Sequence, residues 1–139
     1  MPILTLAMQS AVGISGEEQT HTVERGAIKR FVEAIGEANP AYLDVAPPTF
    51  LRSLGHAIPP LPDGNVAPRV LDGGSGWTYG PPVTPGDAIT IQTTLESLKE
   101  REGKLGAMLI ANYTTTYVNQ RDETVATQTN TVIRMAVSA

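Results

Sequence analysis

The chain contains no cysteine. That absence excludes disulfides, thiolate metal sites and a cysteine nucleophile, and it fits a reducing compartment. Strong charge of either sign is also missing. The net charge is -4 with a pI near 5.1, and acidic and basic residues are interspersed. A chain with no basic face has no electrostatic footprint for nucleic acid. No apolar run approaches the ~20 residues that a membrane-spanning helix needs. Residues 1–13 are mostly apolar, but they carry no Lys or Arg, so they lack the basic region that opens a secretory signal. They read as a first strand or a packed arm. No spacing of His, Asp and Glu suggests a metal. Gly73-Gly74 with Gly76 lacks the following helix of a nucleotide loop. The expectation is a cytoplasmic chain that needs no cofactor or metal and does not bind nucleic acid or membrane.

A length of 139 residues suits one domain, 1–139, with a single core. Its first half has helical signals. Thr22 can cap a helix, with Glu24 in the first turn. Ile28, Phe31, Val32 and Ile35 then follow at the spacing of one helical face. Gly36 stops that helix in a left-handed cap. Asn39-Pro40 disfavours further helix, so residues 37–44 form a loop. Pro47-Pro48 can open a second helix, with Phe50, Leu51 and Leu54 buried. Residues 58–68, rich in Pro and Gly, form another loop.

From Arg69 the period becomes that of strands. Residues 69–79 read as a strand interrupted by a bulge at Gly73-Gly74. Residues 88–98 alternate, with Ile89, Ile91, Thr93 and Leu95 on one face. Residues 101–104 turn the chain, and 105–118 form a long strand rich in Thr and Tyr. Residues 119–123 turn it again before a last strand at 125–136. Helices followed by a meander of long strands imply an α+β fold, with helices against one face of an antiparallel sheet. The absence of parallel crossovers argues against a doubly wound sheet.

The most informative stretch is Gly36-Glu37-Ala38-Asn39-Pro40-Ala41-Tyr42, followed by Val45-Ala46-Pro47-Pro48-Thr49-Phe50. It resembles the hydration motif of the MaoC-like, (R)-specific enoyl-thioester hydratases and 3-hydroxyacyl dehydratases, Gly-Asp-x-Asn-Pro-x-His, and the segment APPTF of their N-terminal-type domains. Residues 24–31 are similar to the helix before that motif. Val70-Leu71-Asp72-Gly73-Gly74 resembles a strand that usually reads Leu-His-Gly-Gly. Pro82-Val83-Thr84-Pro85-Gly86-Asp87 and residues 117–120 resemble two further turns. The resemblance covers nearly the whole chain. It implies the hotdog fold, an antiparallel sheet wrapped around a central helix. It also implies pairing, as a homodimer or as a heterodimer with a second MaoC-like hotdog chain, around a CoA or acyl-carrier-protein thioester.

Hydrating an enoyl thioester requires a base for water, an acid for the α-carbon proton and N–H donors for the thioester oxygen. In the family a paired Asp and His handle water and proton. Here Glu37 stands at the Asp position and Tyr42 at the His position. Glu37 could act as a base or remain a solvated loop acid; its extra methylene displaces the carboxylate on the scale that costs ~100-fold in rate. A phenol is a far weaker base than an imidazole at neutral pH, so Tyr42 can donate a hydrogen bond or pack. Pro48 falls beside the oxyanion donor of the family and has no N–H; the Thr49 N–H could replace it. Asn39, Thr49, Asp72, Gly73 and Gly74 are the remaining positions that the resemblance assigns to substrate. His21 and His56 lie outside the motif and read as structural. Relatives also carry a longer loop before APPTF, one that helps roof the acyl pocket.

Three readings follow. The chain is a non-catalytic or weakly catalytic half of a hydratase, lining the acyl channel beside a catalytic partner. Alternatively, it is a self-sufficient homodimeric hydratase, or a thioesterase, using Glu37. Or it binds acyl thioesters without turning them over.

Overall fold

The computed structural model describes residues 2–136. Five strands form one antiparallel sheet: β1 (Gln19–Thr22), β2 (Arg69–Tyr79), β3 (Ala88–Gly103), β4 (Gly106–Val118) and β5 (Thr124–Met135). Their spatial order is β1-β3-β4-β5-β2. The three central strands follow one another in the chain through tight turns, which is why they meander. β1 and β2 are the edges. Two α-helices precede the long strands, α1 (Leu6–Ser10) and α2 (Arg25–Ala34).

Alternation decides the faces. Ile89, Ile91, Thr93 and Leu95 of β3 are all buried, at 1% exposure or less, together with Leu109, Ala111, Tyr113, Thr115 and Tyr117 of β4. Side chains at every second position share one side of a pleated sheet, so these line the inner face. Onto it pack Val23, Ile28 of α2, and Phe50 and Leu51. The rings of Phe31 and Phe50 meet edge to face, 5.7 Å apart, a preferred aromatic geometry. α1 closes the far end with Met8, which is fully buried beside Ala67 and Leu109. The expected first strand or arm is therefore an arm, held by Thr5 as N-cap and by Glu100, whose carboxylate accepts from the Ile3 and Leu4 N–H groups at 2.6 Å.

Three local expectations are corrected. The chain at Gln19–Thr22 is an edge strand paired with β3, and α2 starts after Glu24 rather than at Thr22; pairing with β3 outweighs the capping preference of Thr22. Pro48–Ser53 is a 3-10 turn, not an α-helix. Leu54, its C-cap, has extended backbone, and Gly55 follows, so nothing propagates a second turn. The hotdog sheet closes over α2 together with short 3-10 turns. Finally, β3 runs through residues 101–103 and turns only at 104–105.

The predicted bulge is present. Asp72 pairs with Val132 and Ser75 with Asn130, so Gly73 and Gly74 together face one residue, Thr131. A side chain on Gly73 would meet Thr131, and Gly74 sits at φ +114, a region that favours glycine. The Asp72 carboxylate accepts from the Gly74 N–H at 2.9 Å and braces the kink.

Among the described residues, no helix is long and apolar enough to cross a membrane.

Candidate functional site

α2 determines where the motif begins. Its last turn ends in paired bonds, Gly36 N–H to Glu33 O and Glu37 N–H to Val32 O, both 3.1 Å. With Gly36 at φ +73, this is the Schellman stop. The chain leaves the helix at Glu37, and the Glu37 carboxylate turns back on its own loop. Its Oε1 accepts from the Ala38 and Asn39 N–H groups, each at 3.0 Å. Asn39 then caps the 3-10 turn Pro40–Leu43 by accepting from the Ala41 N–H at 3.0 Å. Arg25 donates to the Leu43 carbonyl and lies 3.6 Å from Asp44. The motif loop is therefore a self-capped structure, exposed from 36 to 41.

Tyr42 is the motif side chain turned toward the molecule. It is half-buried and lines two hollows. One, of about 450 Å³, lies between α2 and the loop, with Lys29, Val32 and Glu37. The other, of about 220 Å³, is apolar and bounded by Pro48, Leu51, Tyr79 and Val125. Tyr79 is shared in turn with a third hollow of about 530 Å³, which holds Thr49, Arg52 and Trp77. Successive hollows thus share one lining residue each, Tyr42 and then Tyr79. Pro48 and Thr49 open the 3-10 turn, where first-turn N–H groups have no partner within the turn; proline removes one and Thr49 retains the next. Glu37, Asn39 and Tyr42 are brought together in one loop, and Thr49 joins them through the hollows. Asp72, Gly73 and Gly74 stand apart, on the exposed bulge of β2, and line none of these hollows.

Beneath the third hollow lies an aromatic stack. Trp77 is parallel to Tyr79 at 5.7 Å and tilted onto Tyr117 at 5.4 Å. The Tyr117 hydroxyl is buried without a hydrogen-bond partner. Burial pushes its pKa up to about 12, against the opposing pull of the Arg52 charge, so it stays a phenol. His56 is half-buried beside Arg52; burial first, and the Arg52 charge second, hold its pKa below the ordinary 6.5. His21 has a structural place, with Nε2 2.8 Å from the Gly55 carbonyl. Sequence reasoning read His56 as structural and Arg52 as a surface charge or phosphate contact, and it passed over the inward polar residues of β4 and β5. The available signal was polar side chains at inward-facing strand positions, such as Gln128, in register with apolar ones. Among the described residues, no three His, Cys, Asp or Glu side chains converge as metal ligands.

A five-stranded antiparallel sheet of this order, closing over a short helical filling, defines a hotdog protein of the MaoC-like class. The family model for the FAS1-like dehydratase domain region matches residues 10–128, and the chain belongs to that family. A UPF0336 protein of Streptomyces coelicolor is 35% identical, the match covering 68% of this chain and 75% of that protein. Among solved structures, a MaoC-like dehydratase from Rhodospirillum rubrum superposes with a TM-score of 0.74 at 21% identity, covering 97% of this chain and 100% of the other. The HadBC complex of Mycobacterium tuberculosis, a 3R-hydroxyacyl-ACP dehydratase, matches with a TM-score of 0.67 at 18% identity, covering 88% and 96%. At these identities the two structures speak for the fold.

Proposed function

We propose that this chain is one hotdog subunit of an (R)-specific enoyl-thioester hydratase or 3-hydroxyacyl dehydratase, the half that lines the acyl pocket and carries little or no catalytic power of its own. The observation that carries this reading is the engagement of Glu37. A water-activating base needs a carboxylate free to reach the substrate, and this one is held by two backbone N–H groups of its own loop. Tyr42, facing the hollows, supplies a donor and a packing surface, and no base. A second hotdog chain would bring the Asp and His.

The edge strand β2 supports a partner. Every residue of it except Trp77 is exposed, including Val70 at 54%, Leu71 at 50% and Tyr79 at 42%. A long exposed edge of this kind is a template for pairing with another strand. The Rhodospirillum dehydratase and the HadBC complex share the fold, and the latter is built from two kinds of chain. The substrate in this reading is an acyl group on CoA or on a carrier protein, delivered along the hollows from Tyr42 to Arg52.

The test is co-expression with a MaoC-like hotdog chain that carries the Asp and His, the product of the neighbouring gene being the first choice, followed by hydration assays with crotonyl-CoA for each chain alone and for the pair. The pair is expected to turn over and this chain alone is not. Turnover by the isolated chain above ~1 per second, an ordinary enzymatic rate, together with its loss in Glu37→Ala, would establish a self-sufficient enzyme instead.

A further inference from the structure

Most of the sheet's inner face is apolar, but two adjacent rungs are not. Thr93 on β3, Thr115 on β4 and Gln128 on β5 are direct cross-strand neighbours, and the rung ends on Trp77 of β2. The three polar residues are at most 3% exposed. Thr93 and Thr115 satisfy one another at 2.8 Å. Gln128 makes no side-chain hydrogen bond among the described residues. On the next rung Tyr113, itself 7% exposed, faces Asn130, and neither side chain has a hydrogen-bond partner there either. From the opposite side Arg52, within the 3-10 turn, and His56, just after it, line with these rungs a cavity of about 20 Å³.

Among the described residues the fully buried side-chain polar atom without a partner is the Tyr117 hydroxyl; the polar atoms of Gln128, Asn130 and Tyr113 instead reach the accessible space of the cavity, where a water or a ligand oxygen can complete them. The cavity is large enough for one water, or for one oxygen of a ligand. Its polar lining can donate from the Arg52 guanidinium, the Gln128 and Asn130 amides and the Tyr113 hydroxyl, and no carboxylate lines it. Each of these groups can donate to a hydroxyl or carbonyl oxygen, and the space is about that of one water. The cavity adjoins the hollow of Trp77 and Tyr79, with Arg52 lining both. A channel made only for alkyl chains would end on apolar side chains.

We propose that this cavity receives an oxygen carried by the acyl group far from its thioester, so that the chain selects hydroxylated or oxo acyl thioesters over plain alkyl ones. The proposal rests on the reading of this chain as the half that lines the acyl pocket. The neutral form of His56, favoured by its buried position, can accept from a hydroxyl or donate to a carbonyl.

The experiment is calorimetric binding of hexanoyl-, octanoyl- and decanoyl-CoA, each against its ω-hydroxy counterpart, to the chain alone and to the complex with its hotdog partner. At one chain length at least, the hydroxylated thioester should bind about 10-fold more tightly, the worth of one good hydrogen bond. Gln128→Met and Asn130→Leu should each bring that ratio toward one by weakening the hydroxylated thioester, with the plain acyl-CoA bound at least as tightly as before. No preference at any length, or a preference that survives both substitutions, overturns the proposal. If no thioester binds at all, the acyl-pocket reading fails, and the cavity is judged separately. Side-chain amide resonances of Gln128 and Asn130 are then followed during titration with 1-octanol. Shifts in both that Gln128→Met abolishes for Asn130 uphold an oxygen site, and unchanged resonances overturn it.

Discussion

The motif loop and the inner face of the sheet make an instructive pair. The loop at residues 36–44 has the residues that resemble a catalytic signature, and the side-chain oxygens Glu37 Oε1 and Asn39 Oδ1 are occupied by its own backbone. Glu37 caps the turn after α2 and Asn39 caps the next turn. The inner face resembles ordinary strand sequence, and it holds polar groups without partners, the Tyr117 hydroxyl foremost. Polar groups near solvent are satisfied cheaply by their neighbours. Groups facing a core are left unsatisfied only where folding cannot avoid it or a ligand completes them. A signature-like segment is therefore not where unmet chemical demand lies in this molecule.

The largest expected effect breaks the comparison at the loop. If the motif is idle, adding the hotdog partner raises crotonyl-CoA hydration at least ~100-fold over this chain alone, the scale of one positioned acid or base, and Glu37→Gln in the pair changes kcat by less than about 2-fold. A large loss in Glu37→Gln would restore the loop to the chemistry.

Buried polar groups with partners behave oppositely to those without. Asp87 is 3% exposed and accepts from Thr84 N–H at 2.9 Å and from the Gln120 amide at 2.9 Å, tying the turn before β3 to the turn between β4 and β5. Burial pushes its pKa up, but those donors and the Arg121 charge outweigh burial and leave it below the usual carboxylate value. Asp87→Ala should therefore destabilise by about 3 kcal/mol, read from urea unfolding. Because the folded-state pKa is depressed, this contribution is present above the unfolded-state value and disappears as pH falls through the folded one. The same titration on the Ala variant should show a shallower acid loss.

Tyr117→Phe removes a buried hydroxyl that bonds to nothing. It should stabilise by about 1 kcal/mol, a rise of a few degrees in Tm. A loss of stability would mean that the hydroxyl has a partner in solution. Glu37→Ala, in contrast, removes two exposed bonds of a loop. Its Tm should fall by less than about 4 °C.

The smallest effect concerns His56. Its folded-state pKa lies below 6.5, so the unfolded chain takes up a proton more readily. Stability should be complete above pH 6.5 and should decline as pH drops through that value toward the folded pKa. His56→Asn should flatten that part of the profile.

Much of the fold was legible in the chain. Alternation in β3 and β4, the bulge at Gly73-Gly74 and the Gly36 stop each rest on local rules of period or backbone conformation, and each is observed. Pro48–Ser53 was misread because proline tolerance at a helix start says nothing about whether a second turn will propagate. The edge strand Gln19–Thr22 has little pattern of its own; it exists because β3 offers it a partner. The candidate site was half legible. Glu37, Asn39 and Tyr42 were identifiable as a loop, yet which of them faces the interior depends on how α2 docks.

By itself the sequence determined the succession of the four long strands, the faces of the central ones and the family, because side-chain period and turn chemistry act over a few residues. Only the tertiary structure decided that Glu37 binds its own backbone, and that Gln128, Asn130 and Tyr113 meet Arg52 and His56 around one small cavity. Those residues come from three separate parts of the chain, and register across strands, which no local pattern encodes, is what brings them together.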